Sequence, residues 1–333
     1  MTGRSQRVKI ERTLSNPRDL QSGVPQGGIL SPIIFVIYGA DMELWLKHSS
    51  ALTYADDTSS SIRAKLLSEV TQMLEEDAEN VLNFMASNGL VANPKKTTLL
   101  ILSNKGLEEV KITIGGTEIK QVEKAKLLGV TIEDSQKWKN QISGKGGVTS
   151  ALNTRLFLIK RLKNHIDRTQ LRKVADSIWT SKLRYGLQLY DEVRRNAEDS
   201  KNCEMIKLQK CQNNLLRTLE NAKIKDKRSI ESLLESQKML SVNQMQGQIK
   251  IMEMWKSKNV KNYPLKINIL KENDSGITTR GASREQFRIN QTPKTCIGDA
   301  TRLWNRAPPA VQEAKSITVA KKESKKYCSG FPI

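Results

Sequence analysis

Two adjacent carboxylates, Asp56 and Asp57, are the side chains of this 333-residue chain best suited to chemistry. They lie in the segment Leu52–Ile62, whose strand-like ends and small, acidic centre predict a β-hairpin with the acids near its tip. Neighbouring like charges repel each other, and a divalent cation would neutralise them. Mg²⁺ prefers such hard oxygen ligands and commonly holds substrate phosphates at the same time. An exposed acidic turn is the alternative, and an Asp-Asp pair taken alone favours that alternative.

A glycine-rich loop, Ser22–Gly28, lies about 25 residues before the acidic pair. Glycines allow a backbone to approach a ligand where side chains would obstruct it. Gln26 offers an amide to a ligand or caps the loop itself. Ser31 and Pro32 follow, and they predict an N-cap and a first helical position for an apolar helix from Ile33 to about Leu46.

The elements that would position these residues alternate between helix and strand. Apolar residues at helical spacing predict a helix over 68–88, capped by Ser68 and ended by Asn88-Gly89. Strands are predicted at 98–102 and 127–132, with a hairpin between them around Gly115-Gly116. The pattern predicts an α+β fold in which an antiparallel sheet is backed by helices.

The character of the chain changes near Ser143–Gly147, a flexible glycine-rich stretch that predicts a domain boundary. Beyond it the pattern is mainly helical, and residues 191–250 read as polar helix. Periodicity fades from Tyr263 to Arg302. We therefore predict three regions: 1–142, 143–262 and a poorly defined 263–333.

The excess of positive over negative charge is confined to the later part of the chain. Residues 1–100 hold 10 Lys+Arg against 11 Asp+Glu, whereas the remainder holds 45 against 24, out of a total net charge of +20. Residues 155–184 alone hold nine basic residues against two acids. This predicts a groove that tracks nucleic-acid phosphates, with a merely solvated basic face as the alternative. The candidate phosphate-binding residues are Arg155, Lys160, Arg161, Lys163, Arg168, Arg172 and Lys173.

Composition excludes several other classes of protein. The longest apolar stretch, Ile33–Ala40, is far shorter than the roughly 20 residues of a membrane span, and the N-terminus is polar. Four widely spaced cysteines predict free thiols and no disulfide partner. We expect an intracellular protein of the cytoplasm or nucleus, with no membrane contact.

The loop Gly23–Pro32 and the sequence Tyr54-Ala55-Asp56-Asp57, in this order and spacing, resemble motifs B and C of reverse transcriptases of non-LTR (LINE-like) retrotransposons. Asn88–Thr97 resembles motif D of that family, and 127–132 with Trp138 resembles the segment between palm and thumb. Arg302–Pro308 is similar to the family's C-terminal Trp-Asn-x-x-Pro pattern.

The resemblance implies a partial right-hand polymerase palm followed by a mainly α-helical thumb and C-terminal region. It implies two-Mg²⁺ nucleotidyl transfer with an RNA template, a DNA primer and deoxynucleoside triphosphates. Asp56 and Asp57 would ligate metal, and Lys96 would act as general acid toward pyrophosphate. Tyr54 would pack at the primer end or fill the palm core. The residues implied in nucleotide and template binding are Gly23, Pro25, Gln26, Gly27 and Tyr54.

The sequence departs from this family in two respects. A third carboxylate, from motif A on a separate strand, has no counterpart, because the only acids before the loop are Glu11 and Asp19. Gly28 stands where the family usually has Ser. We therefore expect a fragment that binds metal weakly and is inactive alone. The alternative is a non-catalytic nucleic-acid-binding remnant or domesticated protein that uses the basic thumb.

Overall fold

The structure, a computed structural model, describes residues 3–25, 27–93, 96–103, 109–190, 203–265 and 295–331. The chain divides into two compact units, Met1–Leu128 and Gly129–Ile333, here called the N-terminal and C-terminal units. The second unit begins before the predicted boundary at residue 143. The functional division into three regions stays a prediction.

The N-terminal unit contains short antiparallel strand pairs. The outer pair of its first segment encloses an inner pair, and two further hairpins follow. The pairs are β1 (Arg4–Gln6) with β4 (Arg18–Leu20), β2 (Lys9–Ile10) with β3 (Thr13–Leu14), β5 (Ser50–Tyr54) with β6 (Asp57–Ser61), and β7 (Lys111–Ile114) with β8 (Thr117–Lys120). A further strand, β9, spans Lys124–Leu127.

The mixed α+β class is confirmed, but the predicted single sheet is wrong for the described strands, which form separate two-stranded sheets. The predicted strand 98–102 is reduced to one bridge between Leu99 and Gln121, so no strand there joins the hairpins. The predicted strand 127–132 is interrupted by a turn, because Leu128 and Gly129 both have positive φ. The hairpin at Gly115-Gly116 is confirmed, and both glycines have the positive φ that its tight turn requires.

The described part of the N-terminal unit contains two α-helices: α1 (Ser31–Gly39), which continues as a 3₁₀ turn at Ala40–Trp45, and α2 (Leu67–Ser87). The predicted helix 68–88 is confirmed. Both predicted N-caps are wrong, because Leu30 and Leu66 occupy those positions without a side-chain cap. The core of this unit is a small cluster of buried side chains packed with α2 residues: Leu99, Val110, Ile112 and Ile119.

The C-terminal unit is mainly helical. After β10 (Val130–Glu133) it contains α3 (Lys139–Ser143), α4 (Val148–Leu162), α5 (Arg168–Val174), a π-helical segment (Ala175–Thr180), α6 (Ser181–Arg184) and a 3₁₀ turn (Leu187–Leu189). Then follow α7 (Cys203–Leu219), a 3₁₀ turn (Ile224–Asp226), α8 (Ile230–Ser236), α9 (Val242–Asn259), α10 (Cys296–Arg306), α11 (Pro309–Gln312) and α12 (Ile317–Cys328).

Helix α9 runs through the core of this unit and is buried along most of its length. The sequence predicts polar helix up to residue 250, and the structure has a helix here whose polar glutamines are buried and satisfied internally. Gln246 donates to the carbonyl of Leu187 (3.0 Å), and Gln248 donates to that of Lys321 (3.1 Å). Gly247 lies against the Phe331 ring, where a Cβ would come within 2.9 Å of a ring carbon. Buried amides that find backbone partners stabilise one specific packing.

Two expectations of composition concern this fold. In the described part of the chain, no helix is both long and apolar enough to span a membrane. Cys211, Cys296 and Cys328 are thiols outside any disulfide, and burial raises the pKa of Cys328 to about 12. The side chain of Cys203 lies outside the described residues.

Candidate functional site

The acidic pair lies at the end of a two-residue β-hairpin, as predicted. Tyr54 pairs with Asp57 across β5 and β6, so Ala55 and Asp56 form the turn. Tyr54, Asp56 and Asp57 are all exposed, Tyr54 to 67%. Ala55 has φ of 54°, in the left-handed region that an alanine rarely adopts. The chain therefore accepts local strain to present two carboxylates in solvent.

The base of this hairpin is held by a buried carboxylate in α2. Asp77 is 1% exposed and accepts backbone N–H bonds from Lys47 (2.8 Å), His48 (3.1 Å) and Ser49 (2.6 Å), the residues just before β5. Burial raises the pKa of Asp77, but the donors lower it further, so that the pKa lies below its ordinary value. Asp77 thus anchors the start of the Asp56–Asp57 hairpin to α2.

Other acids of α2 hold further segments of the N-terminal unit. Glu76 contacts Lys47 Nζ (2.6 Å) and His48 Nε2 (2.8 Å), and these hydrogen bonds lower the pKa of Glu76. Glu75 and Glu79 each accept a backbone N–H from the β7–β8 hairpin, at 2.7 Å. Glu75 and Glu79 are therefore acceptors for neighbouring backbone, and Glu76 is an acceptor for neighbouring side chains.

The glycine-rich loop is folded on itself. Gly23 and Gly27 have φ of 84° and 80°, and the Arg4 guanidinium donates to the carbonyl of Gly23. Ser31 donates its hydroxyl to the Pro25 carbonyl (2.7 Å) instead of capping α1. A Cβ on Gly28 would lie 2.6 Å from that hydroxyl, so the closed loop requires glycine or a moved Ser31. Gln26 lies outside the described residues.

Lys96 lies in the segment after α2 and is exposed, with its backbone N–H bonded to Asn93 (3.0 Å). Gly89 ends α2 with φ of 64°. The Tyr38 hydroxyl donates to the carbonyl of Asn88, which ties α1 to the end of α2. Helix α2 is therefore the common support of the acidic hairpin and of the segment that leads to Lys96.

The described contacts do not bring the acidic pair, the glycine-rich loop and Lys96 together into one site. Among the residues that the structure describes, no cluster of three or more His, Cys, Asp or Glu side chains could hold a metal ion. Asp56 and Asp57 supply hard oxygen donors of the right chemistry for a divalent cation, but the described part does not complete the ligand set. The roles of Asp56, Asp57 and Lys96 stay predictions.

The predicted phosphate-binding residues differ in availability. Lys160, Arg161, Arg168 and Lys173 are exposed on α4 and α5, and Arg161 lies over the exposed Phe157 ring at 5.8 Å. Arg172 instead pairs with Asp176 (2.9 Å) and donates to the carbonyl of Gln237 (2.8 Å). Lys163 donates to the Asn221 side chain. Arg172 and Lys163 thus also connect helices of the C-terminal unit.

Two features of the molecule escape sequence reasoning. Asp77 falls within the predicted amphipathic helix, and only the dense acidic run around it signals a special role. The π-helical segment Ala175–Thr180 interrupts the basic helix pair, and no sequence signal predicts it.

Comparison with known proteins agrees with the motif geometry. Residues 5–132 match the family described as reverse transcriptase (RNA-dependent DNA polymerase). The chain is similar to a probable RNA-directed DNA polymerase from transposon BS of Drosophila melanogaster, with 28% identity over 38% of this chain and 15% of the relative. It is also similar to the RNA-directed DNA polymerase from mobile element jockey of Drosophila funebris, with 24% identity over 56% and 21%, respectively. The chain thus spans about a fifth or less of these relatives. No solved structure matches it.

Proposed function

Since residues 5–132 belong to the reverse transcriptase family, in the form found in non-LTR retrotransposons, we propose that this chain supplies two carboxylates for RNA-directed DNA synthesis. The observation that carries the proposal is the hairpin turn within the matched segment. It presents Asp56 and Asp57, both exposed, at the end of β5 and β6.

In this proposal the N-terminal unit is part of the palm and the helical C-terminal unit is the thumb. A divalent cation, when bound, would stabilise charge on the triphosphate and the primer 3′ oxygen. Asp56 and Asp57 would hold that cation together with a carboxylate that the described residues do not place beside them. Lys96 would donate a proton to the leaving pyrophosphate, and the loop Gly23–Gly28 would lie along the nucleotide and template.

The incomplete ligand set leads to an expectation for the chain of 333 residues. We expect it to bind an oligo(dT)-primed poly(rA) template without extending the primer in Mg²⁺ or Mn²⁺. Primer extension should appear when the part of the jockey protein that precedes the matched region is joined before Met1. That part would supply the further carboxylate that the cation needs.

The decisive measurement is primer extension by this chimaera. Asp56→Asn should reduce extension by about 100-fold or more, because it removes a carboxylate that would hold the charge-stabilising cation at the reacting phosphate. Asp41→Asn changes another exposed acid of the same unit and should leave extension within about twofold of the parent. Extension that survives Asp56→Asn in the chimaera would overturn the assignment.

A second candidate function is nucleic-acid binding without catalysis. The exposed cations of α4 and α5 support it, because they would neutralise phosphates without reading sequence. Binding that weakens steeply with salt, in a chimaera that never extends a primer, would favour this alternative.

A further inference from the structure

A shallow cavity of about 410 Å³ opens on the C-terminal unit. We infer that this cavity binds one nucleotide of an RNA strand, an inference that rests on the proposed nucleic-acid function. Its size falls within the range of small-ligand sites. Its lining combines two cations, two hydroxyls, one aromatic ring and one aliphatic side chain: Arg155, Lys182, Ser177, Ser181, Tyr185 and Ile178.

The wall of the cavity is an irregular helix. Between α5 and α6, residues Ala175–Thr180 form a π-helical turn, a rare geometry that occurs frequently at functional sites. Trp179, on the inner side of this turn, is fully buried. The core therefore fixes the widened turn, while the exposed Ser177 and the half-buried Ile178 line the cavity.

Two cations converge on the cavity from different helices. Arg155 belongs to α4 and uses one guanidinium N–H for the carbonyl of Ala151 (3.1 Å), of the five that arginine carries. Lys182 belongs to α6. None of the six lining residues is acidic, so the local charge favours an anion. A phosphodiester is the anion that a nucleic-acid strand offers.

Tyr185 provides a rigid surface for a base. Tyr185 is 49% exposed, with the Lys182 ammonium 5.7 Å from the centre of its ring. Its backbone is fixed from below, because the buried Tyr190 hydroxyl donates to the Tyr185 carbonyl (3.2 Å) and accepts from Gln141 (3.0 Å). An exposed aromatic ring on a fixed backbone stacks bases with little loss of freedom.

The two serines select for ribose. Ser177 donates its proton to the carbonyl of Lys173 (2.9 Å), and Ser181 donates its proton to that of Ser177. Their oxygens therefore offer lone pairs to the cavity and can accept a hydrogen bond. A 2′-hydroxyl is a donor that RNA has and DNA lacks. These contacts favour an RNA strand over a DNA strand.

Fluorescence anisotropy of the full chain with labelled single-stranded RNA and DNA of matched sequence tests the inference. We expect tighter binding of RNA. Tyr185→Leu should weaken RNA binding by about fivefold or more, since it removes the stacking surface, whereas Tyr185→Phe should stay within about twofold. The Ser177→Ala, Ser181→Ala double variant should lose about fivefold for RNA and little for DNA.

Charge variants provide matched controls. Lys182→Gln should reduce the slope of log affinity against log salt by about one, and Lys322→Gln, an exposed cation of α12, should change it little. If all cavity variants bind RNA as the parent does, the inference is overturned while the proposed function stands. If the parent chain binds no nucleic acid, both fall. Primer extension by the chimaera tests the proposed function separately, because that measurement does not depend on the cavity variants.

Photocrosslinking supplies a readout that does not depend on variant stability. RNA that carries 4-thiouridine should crosslink to the tryptic peptide beginning at Tyr185, and an excess of unlabelled RNA should suppress that crosslink. Crosslinks confined to other peptides would overturn the inference.

Discussion

The two units differ in how they are held together. The C-terminal unit buries large side chains completely, including Trp179, Trp304 and Leu152. The N-terminal unit leaves the apolar face of α1 in solvent, with Ile33 and Ile37 56% and 69% exposed. In its described part it buries a small aliphatic cluster together with Met42 and Phe84. Since burial of apolar area is the main favourable term in folding, most of the described packing energy belongs to the C-terminal unit.

The N-terminal unit instead relies on carboxylates of α2 that accept backbone N–H groups. Asp77 accepts backbone N–H groups at the start of the acidic hairpin, and Glu75 and Glu79 accept them from the next hairpin. Glu76 adds contacts to the side chains of Lys47 and His48. The candidate catalytic pair thus stands on a scaffold held by polar contacts, whereas the candidate RNA cavity is supported by a hydrophobic core. The following predictions test this difference.

The largest effect should follow from the same truncation in the two cores. Leu152→Ala, at a site with no exposure, should lower the free energy of unfolding by about 3 to 5 kcal/mol because it leaves a cavity. Leu99→Ala, at 6% exposure in the N-terminal cluster, should cost less than about 2 kcal/mol, because the few neighbours can relax around it. Urea unfolding followed by circular dichroism measures both.

Unfolding with a single transition and equal losses for the two variants would contradict the comparison. Conservative Leu152→Met keeps the volume of the side chain and serves as the control, with an expected loss below about 1.5 kcal/mol.

A smaller effect should follow from Asp77→Ala. The change leaves the N–H groups of Lys47, His48 and Ser49 without their acceptor, which should destabilise the N-terminal unit by about 2 to 3 kcal/mol. Hydrogen exchange at residues 47–54 should accelerate, while exchange in α9 should stay as in the parent. Glu69→Ala, an exposed acid of the same helix, is the control. Acceleration of α9 as well would show that the effect is not local.

The charge of Asp77 should make part of this stability depend on pH. Its pKa lies below the ordinary value of 3.8, so the folded state favours the ionised form. The contribution is therefore complete above about pH 4 and is lost as pH falls through the lowered pKa. The stability difference between the parent and Asp77→Asn should be constant from pH 5 to 8 and shrink below pH 4. A difference that persists to pH 2 would refute this origin.

Local signals allowed much of the fold to be predicted. The helix at α2 and the hairpins at Ala55-Asp56 and Gly115-Gly116 follow from periodicity and turn residues, because these features are decided within a few neighbouring residues. The acidic pair and its loop follow from motif spacing, and the family match agrees with that interpretation.

Features that depend on distant partners could not be predicted. Ser31 has the residue type of an N-cap, yet its hydroxyl bonds to Pro25 because the loop folds back onto it. The segment 98–102 has strand composition but, in the part of the chain that the structure describes, pairs as β-structure only at Leu99. The glutamines of α9 look like surface residues, and only the carbonyls of Leu187 and Lys321 make their burial favourable. In each case the deciding group lies elsewhere in the chain.

The smallest effect concerns the strained turn of the acidic hairpin. Ala55 has φ of 54° at the first turn position, where two-residue hairpins favour glycine. Ala55→Gly should relieve the backbone strain and stabilise the hairpin by up to about 1 kcal/mol, offset in part by the greater freedom of glycine in the unfolded chain. Ala51→Gly, within β5 where φ needs no relief, should instead destabilise it by about 0.5 to 1 kcal/mol.

Hydrogen exchange at Tyr54 and Asp57 reports both changes. The small core of the N-terminal unit does little to offset the strain at Ala55. Slower exchange in Ala55→Gly than in the parent would therefore show that the β5–β6 pairing imposes the positive φ of the turn. Faster exchange would mean that the alanine methyl group itself contributes to the position of Asp56.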